Sequence, residues 1–294
     1  MEDKLLYFLK RIYEFELGLK PNQIKEDNIW ELARKAEALK KGEPLDTYFS
    51  TKFLNYSWDV IGLFMFLEQA LNIEIKDEEA ESIKTLNELL VLLQKKIKID
   101  EPKIHQEYFD SLIMADNIRI LIVGRDPYPN GSMGIPFCKN EINDLRKHNC
   151  SGKYLLKGLG VDIDSETRNP NEIFFDLLKT KKVGFVNASY FYIGAEKPKR
   201  YQVKFSNLIN QQIYKKSEFV ILTNSAKKLL KTRDKKIIDG YEPIDDIEIK
   251  MPIKEDWLTV CHPDFRNRNS ENHKTLWGTN NGLIEYIDNI IVKN

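Results

Sequence analysis

Apolar residues recur every three or four positions from residue 1 to about residue 97, and this spacing predicts amphipathic helices. Three such sets are Leu5, Phe8, Leu9 and Ile12; Ile61, Phe64, Met65 and Leu67; and Leu86, Leu89, Leu90 and Leu93. We therefore predict a small all-α domain over residues 1–100. The stretch 95–102, which is rich in lysine and ends in Pro102, is typical of a junction between domains.

The pattern changes after residue 103 to short β-branched runs that alternate with amphipathic helical stretches. The runs are Ile118–Val123, Val183–Val186, Phe219–Leu222 and Trp257–Val260. Nearly continuous apolar strands that alternate with helices are typical of a parallel sheet covered on both faces. Residues 104–294 are thus predicted to form an α/β domain with a parallel four-stranded sheet flanked by helices.

Length and composition agree with two domains of ordinary size. The chain has 294 residues and an apolar share of 42%, which is enough to build cores. No apolar run approaches the ~20 residues that span a bilayer, and the first residues lack the basic and apolar regions of a signal peptide. We expect a soluble, cytoplasmic protein with no membrane partner.

Cysteine and histidine usage gives no sign of a metal centre. The three cysteines, Cys138, Cys150 and Cys261, are odd in number and widely spaced, which fits neither a disulfide framework nor a Cys-x-x-Cys zinc site. His105, His148 and His273 lie in hydrophilic stretches, so we expect them at the surface. The sequence therefore predicts no metal and no cofactor.

Charge is unevenly divided although the net formal charge is zero. Residues 1–100 hold 15 Lys and Arg against 19 Asp and Glu, a net charge of −4, so the rest of the chain carries +4. The C-terminal part is the better candidate for contact with phosphate groups. Most such charges only solvate a surface, and the imbalance is small.

Each predicted strand is followed by a polar residue that can take part in chemistry or recognition. Asp126 follows the first run, Asn187 the second, Asn224 and Ser225 the third, and His262 the fourth. Ligands of an open parallel sheet bind at the carboxyl ends of its strands. Polar residues after strands are also common turn formers and helix caps, an alternative that stays open for Asn224 and Ser225. Prolines next to Asp126 and His262 fix the backbone there and favour a functional role.

Five segments, taken in order, resemble the motifs of uracil-DNA glycosylases. The segments are Gly124-Arg125-Asp126-Pro127-Tyr128-Pro129, Gly134-Ile135-Pro136-Phe137, Phe185-Val186-Asn187-Ala188, Leu222-Thr223-Asn224-Ser225-Ala226 and Cys261-His262-Pro263-Asp264-Phe265-Arg266. They are similar to that family's water-activating motif, its Gly-Leu-Cys-Phe segment, its Leu-Leu-Asn strand end, its Leu-Trp-Gly-Ser phosphate loop and its His-Pro-Ser-Pro-Leu wedge loop. The resemblance covers residues of about 104–290 and implies the uracil-DNA glycosylase fold.

The resemblance implies hydrolysis of an N-glycosidic bond in DNA without a metal. That reaction develops positive charge on the sugar and negative charge on the departing base, and an enzyme must stabilise both. By resemblance, Asp126 would supply negative charge beside the sugar and orient the attacking water. His262 would donate a hydrogen bond to the pyrimidine O2.

The base must leave the duplex to reach such a pocket. The resemblance implies that Phe137 stacks on the flipped base and that Asn187 binds its Watson–Crick edge, with Tyr128 and Arg125 in the same pocket. For Phe137, ordinary core packing is the alternative. The DNA backbone would be held by Ser151, Asn224, Ser225 and Lys227, and Phe265 or Arg266 would fill the gap that the base leaves.

Departures from the family pattern leave the substrate open. Arg125 and Pro129 replace the motif's glutamine and histidine, whereas Tyr128 keeps the ring that blocks a C5 substituent in uracil enzymes. The excised base is therefore either uracil or a pyrimidine with a polar C5 substituent, such as the hydroxymethylated or glucosylated cytosine of some phage DNA, in which case the role is antiviral defence. A non-catalytic DNA-binding or interaction module of the same fold is the remaining alternative.

A second resemblance lies in the N-terminal region. Tyr56-Ser57-Trp58-Asp59-Val60-Ile61-Gly62 and the residues after it are similar to the start of the second helix of acyl carrier proteins, where a serine carries phosphopantetheine. Ser57 matches that serine, but Tyr56 and Trp58 replace the family's aspartate and leucine. Ser57 is thus either a carrier site of an enzyme that acts on a small molecule or a helix N-cap of an accessory domain that binds a protein partner.

Overall fold

The computed structural model describes residues 4–17, 58–230 and 257–293. The chain forms two compact units, the first comprising Met1–Pro102 with Lys199–Ile209 and the second Lys103–Pro198 with Asn210–Asn294. Ser57 and the segments 18–57 and 231–256 lie outside the described residues.

Helices make up the regular structure described before residue 100. They are α1 (Lys4–Leu17), α2 (Trp58–Leu71), α3 (Asp77–Ser82) and α4 (Leu86–Lys96). Helix α4 begins at a capping box in which Thr85 accepts the Glu88 N–H and Glu88 accepts the Thr85 N–H, as its Thr-x-x-Glu sequence dictates. The apolar stripes meet inside this unit and bury residues that include Phe8, Leu67 and Leu93. An all-α domain over the whole of 1–100 stays a prediction, because 18–57 are not described.

Four parallel strands form the sheet of the second unit. They are β1 (Ile118–Gly124), β2 (Val183–Asn187), β3 (Ser217–Thr223) and β4 (Leu258–Val260), in the spatial order β2-β1-β3-β4. Every residue of β1 except Arg119 is buried, as expected for a central strand covered on both faces. The predicted α/β class with a parallel four-stranded sheet flanked by helices is confirmed.

Helices and short turns alternate with the strands along the chain after residue 103. They are α5 (Gln106–Met114), α6 (Ile142–Arg146), α7 (Ser151–Gly158), α8 (Pro170–Lys181), α9 (Arg200–Lys215), α10 (Asn224–Leu230), a 3-10 turn (Phe265–Asn267), α11 (Glu271–His273) that continues into a π turn (Lys274–Gly278), and α12 (Gly282–Lys293). Helix α8 begins at the capping box of Asn169 and Glu172 with Pro170 in its first turn. Its Phe174 ring packs edge-on against Phe185 of β2, with ring centroids 5.0 Å apart.

Strand register brings the carboxyl ends of the sheet level with one another. Gly124 of β1 pairs with Asn187 of β2, and Thr223 of β3 pairs with Val260 of β4. The polar residues that follow these strands therefore emerge at one edge.

Among the described residues, no helix is long and apolar enough to cross a membrane.

Candidate functional site

A cavity of about 510 Å³ opens at this edge of the sheet. It is lined by nine of the residues singled out from the sequence, namely Arg125, Asp126, Tyr128, Phe137, Ser151, Asn187, Ser225, His262 and Arg266. Two further lining residues, Asp264 and Asn267, were not among the predicted site residues. Both belong to the loop after β4, so their nearness to His262 in the sequence was the available signal.

Asp126 is held at the cavity wall by two backbone donors. Its Oδ2 accepts hydrogen bonds from the N–H groups of Ile193, at 3.0 Å, and Gly194, at 3.2 Å. Its Oδ1 receives no hydrogen bond from the described residues and stays available to a ligand. Burial raises the pKa of the Asp126 carboxyl, and the Arg125 cation and the two N–H groups offset part of that rise.

Arg125 also binds the segment that contains Gly194. Its Nη1 donates a 2.8 Å hydrogen bond to the carbonyl oxygen of Gly194 and lies 3.5 Å from Asp126 Oδ2. Gly194 thus gives its N–H to the carboxylate and its carbonyl to the guanidinium. Its φ of +62° is favourable for glycine and costly for other residues. The remaining donors of Arg125 have no partner among the described residues.

Asn187 is the last residue of β2 and is 2% exposed. Its backbone carbonyl accepts a 2.8 Å hydrogen bond from Asn210 Nδ2, which fixes the end of the strand. Its side-chain amide makes no hydrogen bond to any described residue and lines the cavity. A buried amide without a protein partner is costly unless a ligand or water satisfies it, so Asn187 is suited to recognition.

Phe137 reaches the cavity from a left-handed backbone conformation. Its φ is +64°, which for a residue of this size costs of order 1–3 kcal/mol. The ring lies 5.8 Å from the His262 ring between centroids, at an interplanar angle of 47°. Core packing was the alternative for this residue. The residue is 8% exposed and also lines the cavity, so it packs in the core and stays accessible to a ligand, and stacking on a base stays a prediction.

Tyr128 has contacts at its hydroxyl and over the face of its ring. Its hydroxyl accepts a 3.0 Å hydrogen bond from the Gly152 N–H and lies 3.4 Å from Cys150 Sγ. The Lys139 ammonium lies 4.2 Å from the ring centroid. Burial raises the pKa of the Tyr128 hydroxyl well above its usual value, so the group stays neutral.

His262 follows β4 and precedes Pro263. The strand exit is held by Trp277, a buried side chain whose Nε1 donates a 3.0 Å hydrogen bond to the Cys261 carbonyl. Burial lowers the pKa of His262 to about 4, with Asp264 opposing this shift and Arg266 and Arg125 adding to it. The imidazole is therefore neutral at pH 7 and able to donate one hydrogen bond and accept one.

Asp264 and Arg266 form a pair at the cavity mouth. The Asp264 carboxylate accepts hydrogen bonds from the backbone N–H of Arg266, from its Nε and from its Nη2, at 2.9, 2.9 and 2.5 Å. Burial acts to raise the pKa of Asp264, but the hydrogen bonds from Arg266 outweigh it and hold that pKa below its ordinary value. The Arg266 side chain is 78% exposed, so its position depends on this carboxylate.

The remaining predicted DNA-binding residues occupy different positions. Ser151 begins α7 and Ser225 lies in the first turn of α10, and both line the cavity. Asn224 is exposed and outside the cavity. Lys227 is also outside, and its Nζ donates a 2.9 Å hydrogen bond to Thr259 Oγ1 on β4. The backbone of Phe265 is in the 3-10 turn, but its side chain lies outside what the structure describes.

One prediction about the other histidines is wrong. His273 is 1% exposed and not at the surface, because its ring packs edge-on against Tyr154 at 5.2 Å. His148 is exposed, and His105 is half-buried as the N-cap of α5. Within the described ranges, no group of three or more His, Cys, Asp or Glu side chains is arranged to hold a metal ion.

Comparison of the chain with protein-family models and with solved structures finds no match.

Proposed function

We propose that this protein is a monofunctional DNA glycosylase with the uracil-DNA glycosylase fold, which hydrolyses the N-glycosidic bond of a flipped-out pyrimidine nucleotide and leaves an abasic site. The observation that carries the proposal is that Asp126, Asn187, Phe137 and His262 line one cavity. They come from three different strand ends and one loop.

In the proposed mechanism the base departs with the bonding electrons of its bond to C1′ of the sugar. Asp126 stabilises the positive charge that develops on the sugar, and its Oδ1, which no described residue occupies, orients the water that attacks C1′. The water's proton passes to the carboxylate or to solvent as the new C–O bond forms. The positive charge on the sugar thus faces a carboxylate whose position is fixed before the reaction begins.

His262 stabilises the departing base anion by a hydrogen bond. Its pKa of about 4 supports this role, since a neutral imidazole donates a hydrogen bond without giving up its proton. Phe137 stacks on the flipped base, and the Asn187 amide binds its polar edge. Stacking on an aromatic ring is worth roughly 1–3 kcal/mol per base, which offsets much of the cost of flipping.

Two candidate bases are supported by different observations. Uracil is favoured by Tyr128, because its ring lines the cavity, its hydroxyl is held by the Gly152 N–H, and by resemblance this ring blocks a C5 substituent. A pyrimidine with a polar C5 substituent, such as hydroxymethylcytosine or its glucosylated form, is favoured by the cavity's size and by the unused donors of Arg125. A volume of about 510 Å³ falls within the range of roughly 300–1,000 Å³ of pockets that bind drug-sized ligands.

An excision panel separates these candidates. Single strands and duplexes that contain uracil, mismatched thymine, hydroxymethylcytosine or glucosylated cytosine are incubated with the full-length protein. Abasic sites are detected as strand breaks that appear only after alkali. Breaks at uracil alone support repair, and breaks at a modified cytosine support antiviral defence. Breaks at none of the four bases would contradict the proposal and favour a non-catalytic module.

We propose further that residues 1–100 form a helical accessory domain of the acyl-carrier type that contacts a protein partner. The four helices α1 to α4 and their buried apolar residues support an all-α unit. Mass spectrometry of the protein purified from its own host tests whether the domain carries anything. Unmodified Ser57 is expected, and phosphopantetheine on Ser57 would contradict the accessory role.

A further inference from the structure

Tyr192 is an exposed aromatic residue between two buried ones. It is 45% exposed, whereas Phe191 and Ile193 on either side are 0% and 5% exposed. Its neighbours are tightly fixed. The Ser189 hydroxyl bonds both the N–H and the carbonyl of Phe191, and the Ile193 N–H bonds Asp126. The ring is therefore presented to solvent on a rigid backbone, not on a loose loop.

The ring lies directly beside the candidate active site. Its hydroxyl end is over Gly194, where a β-carbon would come within 2.9 Å of the Tyr192 oxygen. Gly194 is the residue whose N–H bonds Asp126 and whose carbonyl bonds Arg125. One residue thus separates the exposed ring from two side chains that line the cavity.

A lysine supplies positive charge at the same place. The Lys103 ammonium lies 5.7 Å from the centroid of the Tyr192 ring and donates hydrogen bonds to the carbonyls of Tyr128, at 3.2 Å, and Pro129, at 2.6 Å. The Lys103 backbone N–H also bonds the Tyr190 carbonyl, so both partners are tied to the same extension of β2. An ammonium group held in this way is suited to contact a phosphate oxygen next to the ring.

We infer that Tyr192 and Lys103 form a ledge that binds the unpaired nucleotide next to the flipped one, with its base stacked on Tyr192 and its phosphate near Lys103. This inference rests on the proposed function. Aromatic rings beside a cation are the usual platform for single-stranded nucleic acid, because every base has a stacking face. A neighbouring base within a duplex stays paired with the opposite strand and stacked on its other neighbour, so it cannot turn onto the ledge. The protein therefore binds single-stranded or locally melted DNA more tightly than duplex through Tyr192.

The test measures binding without excision. The probes are a short fluorescein-labelled single strand and its duplex, each with a central tetrahydrofuran abasic analogue, and binding to the full-length protein is followed by fluorescence anisotropy. Tyr192→Ala is compared with Tyr192→Phe, which keeps the ring. Tyr286→Ala is the matched control, since Tyr286 is 38% exposed on α12 and lies outside the cavity lining.

We expect Tyr192→Ala to weaken single-strand binding on the order of tenfold and duplex binding much less. Tyr192→Phe and Tyr286→Ala should bind as the unaltered protein does. Equal single-strand affinity of Tyr192→Ala and Tyr286→Ala, or equal losses on the two probes, would overturn the ledge. If either of these results is found and the unaltered protein still excises a base in the panel, the proposed function stands without the ledge. Failure of the unaltered protein to bind either probe would overturn both.

Discussion

The side-chain oxygen of Asn187 lies over the α-carbon of Gly124, so close that a β-carbon on Gly124 would approach it to 2.6 Å. The Phe137 ring occupies the same space and would be 3.1 Å from that β-carbon. Asn187 and Phe137, which are proposed to recognise the base, can thus take these positions only because Gly124 has no side chain. Glycine is needed here for close approach and not for its backbone freedom.

Adding a methyl group at Gly124 should impair excision. Gly124→Ala forces Asn187 and Phe137 to move, and small displacements of positioning groups reduce rates by up to 10²-fold, so we expect a loss of roughly 10- to 100-fold in kcat/KM. Gly62→Ala is the control, because nothing lies within 4 Å of its would-be β-carbon in α2. That variant should keep full activity and gain about 0.5–1 kcal/mol of stability. Unchanged kcat/KM in Gly124→Ala would show that the positions of Asn187 and Phe137 do not depend on the missing side chain at Gly124.

Arg125 should set the acidic limit of activity. The mechanism needs Asp126 ionised and His262 neutral, and each condition is met only above the pKa of the group concerned. Arg125 lowers both of these pKa values. Arg125→Gln should therefore raise both and shift the acid limb of kcat/KM to higher pH, by roughly half a unit to one unit. Arg125→Lys keeps the charge and should keep the limb near its original pH. A shift of the Gln variant to lower pH would contradict the assignment.

Asp264 should restrain DNA binding. Its carboxylate neutralises Arg266 at the cavity mouth, so Asp264→Asn frees one cation for phosphate and removes one repulsive charge. We expect tighter binding and a dependence of log Kd on log salt that is steeper by about one. Asp288→Asn is the matched control, since Asp288 pairs with Arg119 away from the cavity. Weaker binding by Asp264→Asn would show that the carboxylate acts mainly by positioning Arg266.

Asn210 should stabilise the end of β2. Its fully buried amide donates to the Asn187 carbonyl and to the Tyr214 hydroxyl and accepts from the Tyr190 hydroxyl. Asn210→Leu leaves these groups buried without hydrogen-bond partners. We therefore expect a loss of about 3 kcal/mol in the free energy of unfolding, measured by urea denaturation. Asn207→Leu is the comparison, because its buried Oδ1 has no partner among the described residues to lose. Equal losses in the two variants would contradict the role of the Asn210 network.

The strands and the convergence of their ends were predictable from local patterns. Four apolar runs marked the four strands to within two residues at each end. Parallel strands put Asp126, Asn187 and His262 at one edge by geometry alone. The order β2-β1-β3-β4 was not predictable, because it depends on which strands pair across long separations.

Details of the cavity depend on contacts that no local pattern reveals. Arg125 bonds Gly194, 69 positions along the chain, and Phe137 adopts a positive φ that its residue type does not suggest. Lys227 bonds Thr259 on β4, outside the cavity, a contact that its place after the phosphate loop does not reveal, and its role in DNA binding stays a prediction. The burial of His273 likewise follows from its packing on Tyr154, a residue of a separate helix.

The central claim is that the Asp126 cavity breaks an N-glycosidic bond, and release of free base measures this most directly. The base released from each DNA of the panel is quantified under single-turnover conditions for the unaltered protein and for Asp126→Asn. We predict release of one base by the unaltered protein and a rate lower by about 10²–10⁴-fold in Asp126→Asn. Equal rates in the two proteins, or no base released from any DNA, would contradict the account.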